Sequence, residues 1–333
     1  MSRKTTAWIT ALVSLVFISL IWQFAEVDFS LFAERMTAKL LGRPFNQVQV
    51  LDEQGIPMQI YRDGSKQYNP LFIAKAAQEE FAWRKLEEHN RRFIVLTDWL
   101  LQNIESTDST TYAPYRFDYP KYQQKAPWYS ALTQAVVMNA LAQRAGVDRN
   151  LDTYLLATKA LRTLTPEAGT LSYELPDSSL WFMEYPAETP FYSLSGMIST
   201  LIELHKYHEL TGDAVALQLF QRGYRGLLQK LPEFDYHGYS YYNLRGVKAG
   251  RVYHQRHIKR LALLNEINPD PVLQYYHDRW QKADRLPVIW QMLLNPRPKR
   301  ILGFLIPWLA LWGFSYYLLT AKSKMAQSVP EHS

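Results

Sequence analysis

Apolar residues in this chain follow two kinds of pattern. Two uncharged runs, Ala7–Phe24 (AWITALVSLVFISLIWQF) and Ile301–Thr320 (ILGFLIPWLALWGFSYYLLT), are apolar all round. Between them, most of the chain from residue 69 onward repeats apolar positions at three- and four-residue spacing, the signature of amphipathic helices. Each uncharged run meets the ~18-residue minimum for a helix that crosses the hydrocarbon core of a bilayer. Aromatics gather toward the C-terminal end of the second, as at a membrane interface. The first is long for a signal-peptide core, and no small-x-small cleavage site follows it, so it reads as a retained anchor. Two spans put both termini on one side of a membrane and the intervening domain on the other. Arg3 and Lys4 before the first span, against Glu26 and Asp28 after it, favour an inside N-terminus and an exported domain, periplasmic or extracytoplasmic. Arg297, Lys299 and Arg300 before the second span pull the other way, but the first helix usually dominates.

Between the spans, FSLFAERMTAKLLG reads as a short amphipathic helix leading off the membrane. Asn46–Gly64 alternates apolar and polar residues about EQG, which predicts a small β-hairpin. From Asn69 the helical period yields about eight helices, with Asp213 and Asp270 placed to cap two of them. Alternate connections are long and rich in Tyr, Pro and Glu: TYAPYRFDYPKYQQKAPW, SYELPDSSLWFMEYPAETP and FDYHGYSYYNLRGVKAG. In stacked antiparallel helical hairpins, alternate loops share one end. The expected fold is therefore all-α, an incomplete α/α toroid with a cleft at the long-loop end. The layout is an anchor over 1–25, a juxtamembrane helix and hairpin over 26–68, the toroid over 69–295, a second span over 301–320, and a tail over 321–333.

Composition narrows the partners. The net charge of +6 sits partly beside the spans, where it meets anionic lipid headgroups, and the rest suits an acidic polymer. No basic run is interleaved with a nucleic-acid reader motif, so no nucleic-acid partner is expected. The absence of cysteine excludes disulfides and thiolate catalysis. Oligomeric state stays open, with a homodimer among the options.

No phosphate-binding glycine loop, nucleophile elbow or zinc-spaced Cys/His set occurs. His254 and His257 in YHQRH are spaced as some metal ligands are, but no third ligand is in view, and no metal is expected. His205 and His208 fit a solvated helix face near a C-terminal dipole end. Rings at helical spacing belong to the core, whereas loop rings at an open end have faces to spare. Trp128, Tyr129, Trp181, Tyr185, Tyr241 and Tyr242 would make stacking platforms for sugar rings. Glu184, in WFMEYP, sits among apolar and aromatic neighbours, where a carboxylate pKa rises toward the range of a general base.

These stretches resemble one family. GIPMQIYRDGSKQYNPLFIA, TDWLLQN, PWYSALTQA, WFMEYPAETPFYSLSGMISTLIELHKYHELTGD, LPEFDYHGYSYYNLRG and YHQRHIKRLALLNEINPDPVLQYYHDRW are similar to the C-terminal helical domain of D-glucuronyl (heparosan-glucuronate) C5-epimerases, over about residues 56–285. The ordered set E-Y-P, Y-x-L-R and Y-H-x-x-H-I is specific, while each motif alone is weak. The resemblance implies an α/α toroid whose active site is lined by Glu184, Tyr242 and Tyr253, with Arg245 following Tyr242. Two departures bear on the substrate. Larger family members carry an additional β-domain, and Ser195 and Val252 stand where Asn and Asp are frequent.

Removing the hydrogen at C5 of glucuronate leaves an enediolate-like dianion, which demands cations or donors. Arg245 matches a carboxylate in bidentate fashion, and His254 or His257 would assist as donors. Inversion needs a base on one face and an acid on the other, a pair that Glu184 and Tyr253 supply, with Tyr242 positioning or replacing either. A glucuronate-containing acidic polysaccharide is the implied partner, and no cofactor is needed. Two alternatives stay open: a uronate polysaccharide lyase, which begins with the same proton abstraction, and a non-catalytic membrane subunit that binds an exopolysaccharide.

Overall fold

Helix α1 (Arg3–Leu40) runs unbroken through the first apolar run and the segment expected as a separate juxtamembrane helix. No proline or glycine falls in this stretch, so nothing local stops it. At ~1.5 Å per residue the helix is roughly 57 Å long, well beyond a ~30 Å hydrocarbon layer. The computed structural model describes residues 2–42, 49–61, 63–169 and 171–327. It divides into two compact units, one of Met1–Thr37 with Gln281–Ser333 and one of Ala38–Trp280.

The larger unit opens with β1 (Gln49–Leu51), β2 (Pro57–Ile60) and β3 (Lys66–Tyr68), an antiparallel meander in order β1-β2-β3. The sequence suggests a single hairpin here; residues 46–48 and 62 of it lie outside the described residues. Asp52 holds the first turn, accepting from the N–H groups of Gln54 and Ile56 at 2.9 and 2.8 Å. Tyr68 of the added third strand donates to its other oxygen at 2.6 Å.

Eight helices follow in four pairs: α2 (Pro70–Ala82) and α3 (Glu87–Asn103), α4 (Ala131–Asp148) and α5 (Leu151–Arg162), α6 (Leu194–Thr211) and α7 (Ala214–Lys230), α8 (Arg251–Ile267) and α9 (Pro271–Asp284). Within each pair the connection is short: 83–86, 149–150, 212–213 and 268–270. Asn69, Asn150 and Asp213 cap α2, α5 and α7 by accepting from two backbone N–H groups each. Asp270 accepts from Val272 N–H at 2.7 Å to cap α9. Gly212 takes the left-handed conformation that ends α6.

The long connections are not plain loops. They carry short antiparallel strand pairs, β4 (Glu105–Ser106) with β5 (Thr111–Tyr112) and β6 (Ser172–Glu174) with β7 (Leu180–Phe182). The third holds a three-stranded sheet of β8 (Asp235–Tyr236), β9 (Tyr239–Asn243) and β10 (Val247–Lys248) in order β10-β9-β8. The expectation of an all-α domain is corrected to that extent.

Burial sorts the helices into two rings. Residues 131–142 of α4 and 194–204 of α6 are buried on every side, as befits helices enclosed by protein. Helix α7 buries one stripe, Ala216, Leu219, Phe220, Gly223, Tyr224, Gly226 and Leu227. Accordingly α2 packs on α4, α4 on α6 and α6 on α8, while α3, α5 and α7 lie against their preceding partners. Among the described residues α8 and α2 do not pack to a comparable extent, so the inner ring has a seam. The long connections precede α4, α6 and α8, and the meander precedes α2, so all four inner helices begin at the same end.

In the smaller unit, α10 (Val288–Leu294) and α11 (Pro298–Gln327) join the N-terminal part of α1. The indoles of Trp308 and Trp312 donate to the carbonyls of Ala11 and Ala7 at 3.2 and 3.1 Å. Arg300 pairs with Glu26 at 2.7 Å, both nearly buried. Lys4–Trp22 and Arg300–Ala321 are long and apolar enough to cross a membrane. Their large side chains, among them Trp8, Leu12, Leu20, Phe314 and Tyr317, stand exposed. Residues 328–333 of the expected tail lie outside the described residues.

Candidate active site

Glu184 is held in place from several directions. The preceding residue, Met183, donates to Leu171 O at 2.8 Å and accepts from Ala131 N–H at 3.0 Å, so the chain leaving β7 is fixed against the start of α4. Helix α7 presses on β7 from outside; a Cβ on Gly226 would stand 2.2 Å from Leu180 O. Ser193 occupies the N-cap of α6, but its hydroxyl donates to the Glu184 carboxylate and accepts from no N–H of the helix. Two residues into that helix, Gly196 faces the same carboxylate, and a Cβ there would lie 2.7 Å from Glu184 Oε2. No residue larger than glycine fits without moving Glu184.

Ser193 also bridges to Asn243, which brings β9 and Tyr242 alongside. Tyr242 shares a hydrogen bond with Tyr122 and meets Tyr253, in the first turn of α8, edge-on at 4.9 Å. Tyr122 in turn stacks on Tyr185 at 3.7 Å. One carboxylate and four phenols thus form a single group, with Tyr242 buried and Tyr253 exposed.

Burial raises the pKa of Glu184, although part of its side chain reaches solvent. The Ser193 hydroxyl, Arg260, Lys75 and Tyr185 oppose that rise. Burial, reinforced by the Glu184 charge, pushes Tyr185 and Tyr242 far above the ordinary phenol range and Tyr122 in the same direction. These rings are therefore proton donors at neutral pH. Arg260 falls to about 10 through burial and then the neighbouring Arg256. Lys75 is lowered by burial, then by Arg260 and Arg256.

Of the residues singled out from sequence, Glu184, Tyr185, Tyr242 and Tyr253 come together. Others do not. Trp181 is fully buried, stacked on Phe234 at 5.7 Å, and has no face for a sugar. Trp128 is buried against Tyr115 at 3.8 Å and donates to Phe117 O at 2.9 Å. Tyr129 packs on Tyr112 and donates to Glu105 at 3.0 Å, tying it to the β4–β5 pair. His254 and His257 are buried behind the group, not exposed to a substrate. Ser240 N–H donates to His254 Nδ1 at 3.1 Å, which leaves the His254 proton on Nε2. Ser240 Oγ lies 2.8 Å from His257 Nδ1, and His257 Nε2 lies 3.0 Å from Ser195 Oγ. The pair clamps β9, α8 and α6 together, and burial keeps His257 neutral. Arg245 is exposed, its guanidinium 3.6 Å over the Phe191 ring and donating to Thr189 O at 2.7 Å.

Sequence inspection misses Lys75, Tyr122, Ser193 and Arg260. For Arg260 a signal exists: it lies seven residues, two helical turns, after Tyr253 on the same face of α8. Among the described residues no set of three His, Cys, Asp or Glu is grouped to hold a metal ion.

Comparison with known proteins places this geometry. The D-glucuronyl C5-epimerase of Caenorhabditis elegans is 28% identical over 220 residues, covering 59% of this chain and 35% of that enzyme, so the chain spans about a third of that relative's length. An uncharacterized protein of Methanocaldococcus jannaschii is 27% identical over 213 residues, covering 60% of this chain and 69% of the other. A solved structure, cellobiose 2-epimerase from Spirochaeta thermophila, superposes with a TM-score of 0.50 at 12% identity, over 70% of this chain and 63% of that one, which shows a shared fold. Residues 107–282 match the family described as D-glucuronyl C5-epimerase C-terminus. With more than half its length inside that match, Glu184, Tyr242 and Tyr253 included, the chain belongs to the D-glucuronyl C5-epimerase C-terminal family.

Proposed function

We propose that this protein is a C5-epimerase that converts D-glucuronate to L-iduronate within an acidic polysaccharide. One observation carries it: a carboxylate, Glu184, whose pKa is raised by burial, stands among phenols that hold their protons. Glu184 takes the C5 hydrogen as a proton, and the C–H electron pair moves into the sugar carboxylate to form the enediolate. Tyr253, exposed and in contact with Tyr242, returns a proton to the opposite face. The cycle leaves Glu184 protonated and Tyr253 ionised; both re-equilibrate with solvent, so no net proton is consumed. Tyr242 and Tyr122 relay or position that proton through their shared hydrogen bond. Arg245 and Tyr185 line the rim for the flanking polymer.

The α1 and α11 helices anchor the protein in a two-span arrangement, with the helical domain on the exported side and membrane lipid around the spans. Reporter fusions after Ser333 and at Asp108 are expected to report opposite sides; the same side for both would end the two-span arrangement.

The chemistry is tested by incubating the protein with heparosan-like and other glucuronate polymers in deuterated water, followed by NMR. Deuterium at C5 of an inverted sugar, without chain cleavage, is expected. An unsaturated chain end would make the protein a lyase, and the absence of any C5 exchange would leave a binding subunit.

A further inference from the structure

The seam between α8 and α2 concentrates positive charge. Arg256 and Arg260 lie one turn apart on α8, and Lys75 on α2 is within electrostatic reach of both and of Glu184. Arg260 donates to Ser195 O at 3.2 Å, in the first turn of α6, one residue before the glycine that abuts Glu184. Its remaining N–H groups are left to meet other acceptors. Arg256 lies 4.9 Å over the ring of Tyr253. Among the described residues Lys75, half-buried, makes no hydrogen bond or close ion pair.

The carboxylates nearby do not balance this charge. Glu203 is already engaged by Gln78 and Asn139 at 3.0 Å each and by Lys206 at 2.8 Å. Glu184 is held by Ser193. Arg256, exposed, and the half-buried Lys75 and Arg260 are like charges that repel one another; burial first, and then this repulsion, lowers the pKa of Lys75 and of Arg260. An anion entering the seam relieves that repulsion.

We infer that Lys75 and Arg260 together form the receptor for the carboxylate of the reacting uronate, a role the sequence assigns to Arg245. The Arg245 guanidinium is exposed, laid on Phe191 and committed to Thr189 O, whereas Lys75 and Arg260 are within electrostatic reach of the base, and Arg260 is bound to Ser195 O beside the glycine that abuts it. When Glu184 removes the C5 proton, the new negative charge appears on the sugar carboxylate, and cations already placed there stabilise it without reorganisation. Lys75 lies outside the family match at 107–282, so the match does not supply this role. The inference rests on the epimerase reading for what the carboxylate undergoes, but not for the fact that it binds.

The test uses the full chain in detergent micelles and two probes, a glucuronate oligosaccharide and its carboxyl-reduced counterpart, with affinities from calorimetry. Wild type is expected to prefer the acidic probe. Lys75→Met should lose about tenfold or more of its affinity for that probe, the scale of a charge-assisted hydrogen bond, while changing its affinity for the reduced probe little. Lys75→Arg should restore most of the preference. Arg260→Met should act in the same direction, but because Arg260 also holds Ser195 O, Lys75 is the decisive position; far-UV circular dichroism verifies its fold. If Lys75→Met and Arg260→Met keep the preference, or weaken both probes equally, the receptor is elsewhere. If wild type prefers the acidic probe through Lys75 yet exchanges no C5 hydrogen, the receptor stands and the epimerase reading falls.

Discussion

Gly196→Ala isolates the position of Glu184 from its chemistry. The added methyl carbon would stand 2.7 Å from both Cβ and Oε2 of Glu184 and 3.1 Å from its Cδ. Carbon atoms in ordinary contact sit ~3.5–4.0 Å apart, so the overlap is roughly 1 Å. Oε2 and Cδ can swing aside by side-chain rotation, but Cβ is fixed to the backbone, so the chain that carries Glu184 must also shift by several tenths of an ångström. Overpacking costs about 1–3 kcal/mol, against a gain of up to about 1 kcal/mol for alanine over glycine in a helix. The net loss of stability, on the order of 1–2 kcal/mol, is well inside the 5–15 kcal/mol of a typical domain. A ~1 Å displacement of a catalytic group costs on the order of 100-fold in rate. The variant is therefore expected to fold, by circular dichroism and thermal denaturation, and to show C5 deuterium exchange reduced about 100-fold. Gly226→Ala is the contrast: there the methyl meets the Leu180 carbonyl at 2.2 Å, a backbone atom that cannot swing, so stability should fall further. Exchange within a few-fold of wild type in folded Gly196→Ala would mean that Glu184 is not the base, or that its position is immaterial.

Three further outcomes follow from the same geometry. Glu184→Gln and Tyr253→Phe should each abolish inversion, since both proton transfers are required; one of them can retain exchange on a single face, seen by NMR as deuterium at C5 of the original epimer. Ser193→Ala removes a donor that stabilises ionised Glu184, so its pKa rises further and the acidic limb of the kcat/KM profile should move to higher pH; an unmoved limb would separate Ser193 from the base. For His257 the folded pKa lies well below the ordinary 6.5, so the unfolded chain binds a proton that the folded one refuses. Its contribution to stability is full above about pH 6.5 and declines as pH falls below that value, and His257→Gln should flatten this segment of the denaturation-midpoint profile.

Much of the fold is legible in the sequence. Eight helices emerge from the three- and four-residue spacing, Asp213 and Asp270 cap where expected, and the alternation of long and short connections places all four inner helix starts at one end. The motifs also bring Glu184, Tyr242 and Tyr253 into one group. The third strand of the meander is hidden, because Lys66–Tyr68 is three residues long and too polar to show alternation. The loop aromatics mislead for a related reason. Trp181, on β7, is covered by Tyr192 and Phe234, and Trp128, bridged to Tyr115, is covered by Tyr115 and Phe117, so a loop in sequence becomes a packed layer in space.

Lys75 and Arg260 are hidden by something more general. On an isolated amphipathic helix, a lysine beside the apolar stripe Ile73, Ala74 and Ala77 belongs to the wet face, and nothing in PLFIAKAAQEEFA contradicts that. In a double ring the enclosed helices α4 and α6 have no ordinary wet face, while α8, at the seam, keeps an exposed stripe that includes Val252, Arg256, Lys259 and Leu263. At the seam α2 has one inner neighbour, α4, and α8 has one, α6, so each leaves a side to the seam itself. A cation at the seam is therefore either turned to solvent, as Arg256 is, or half-buried and directed to a space that a ligand enters, as Lys75 and Arg260 are. Which of the two applies depends on knowing that α2 and α8 are inner and that a seam separates them. That knowledge comes from packing between segments about 180 residues apart, beyond the reach of any local period.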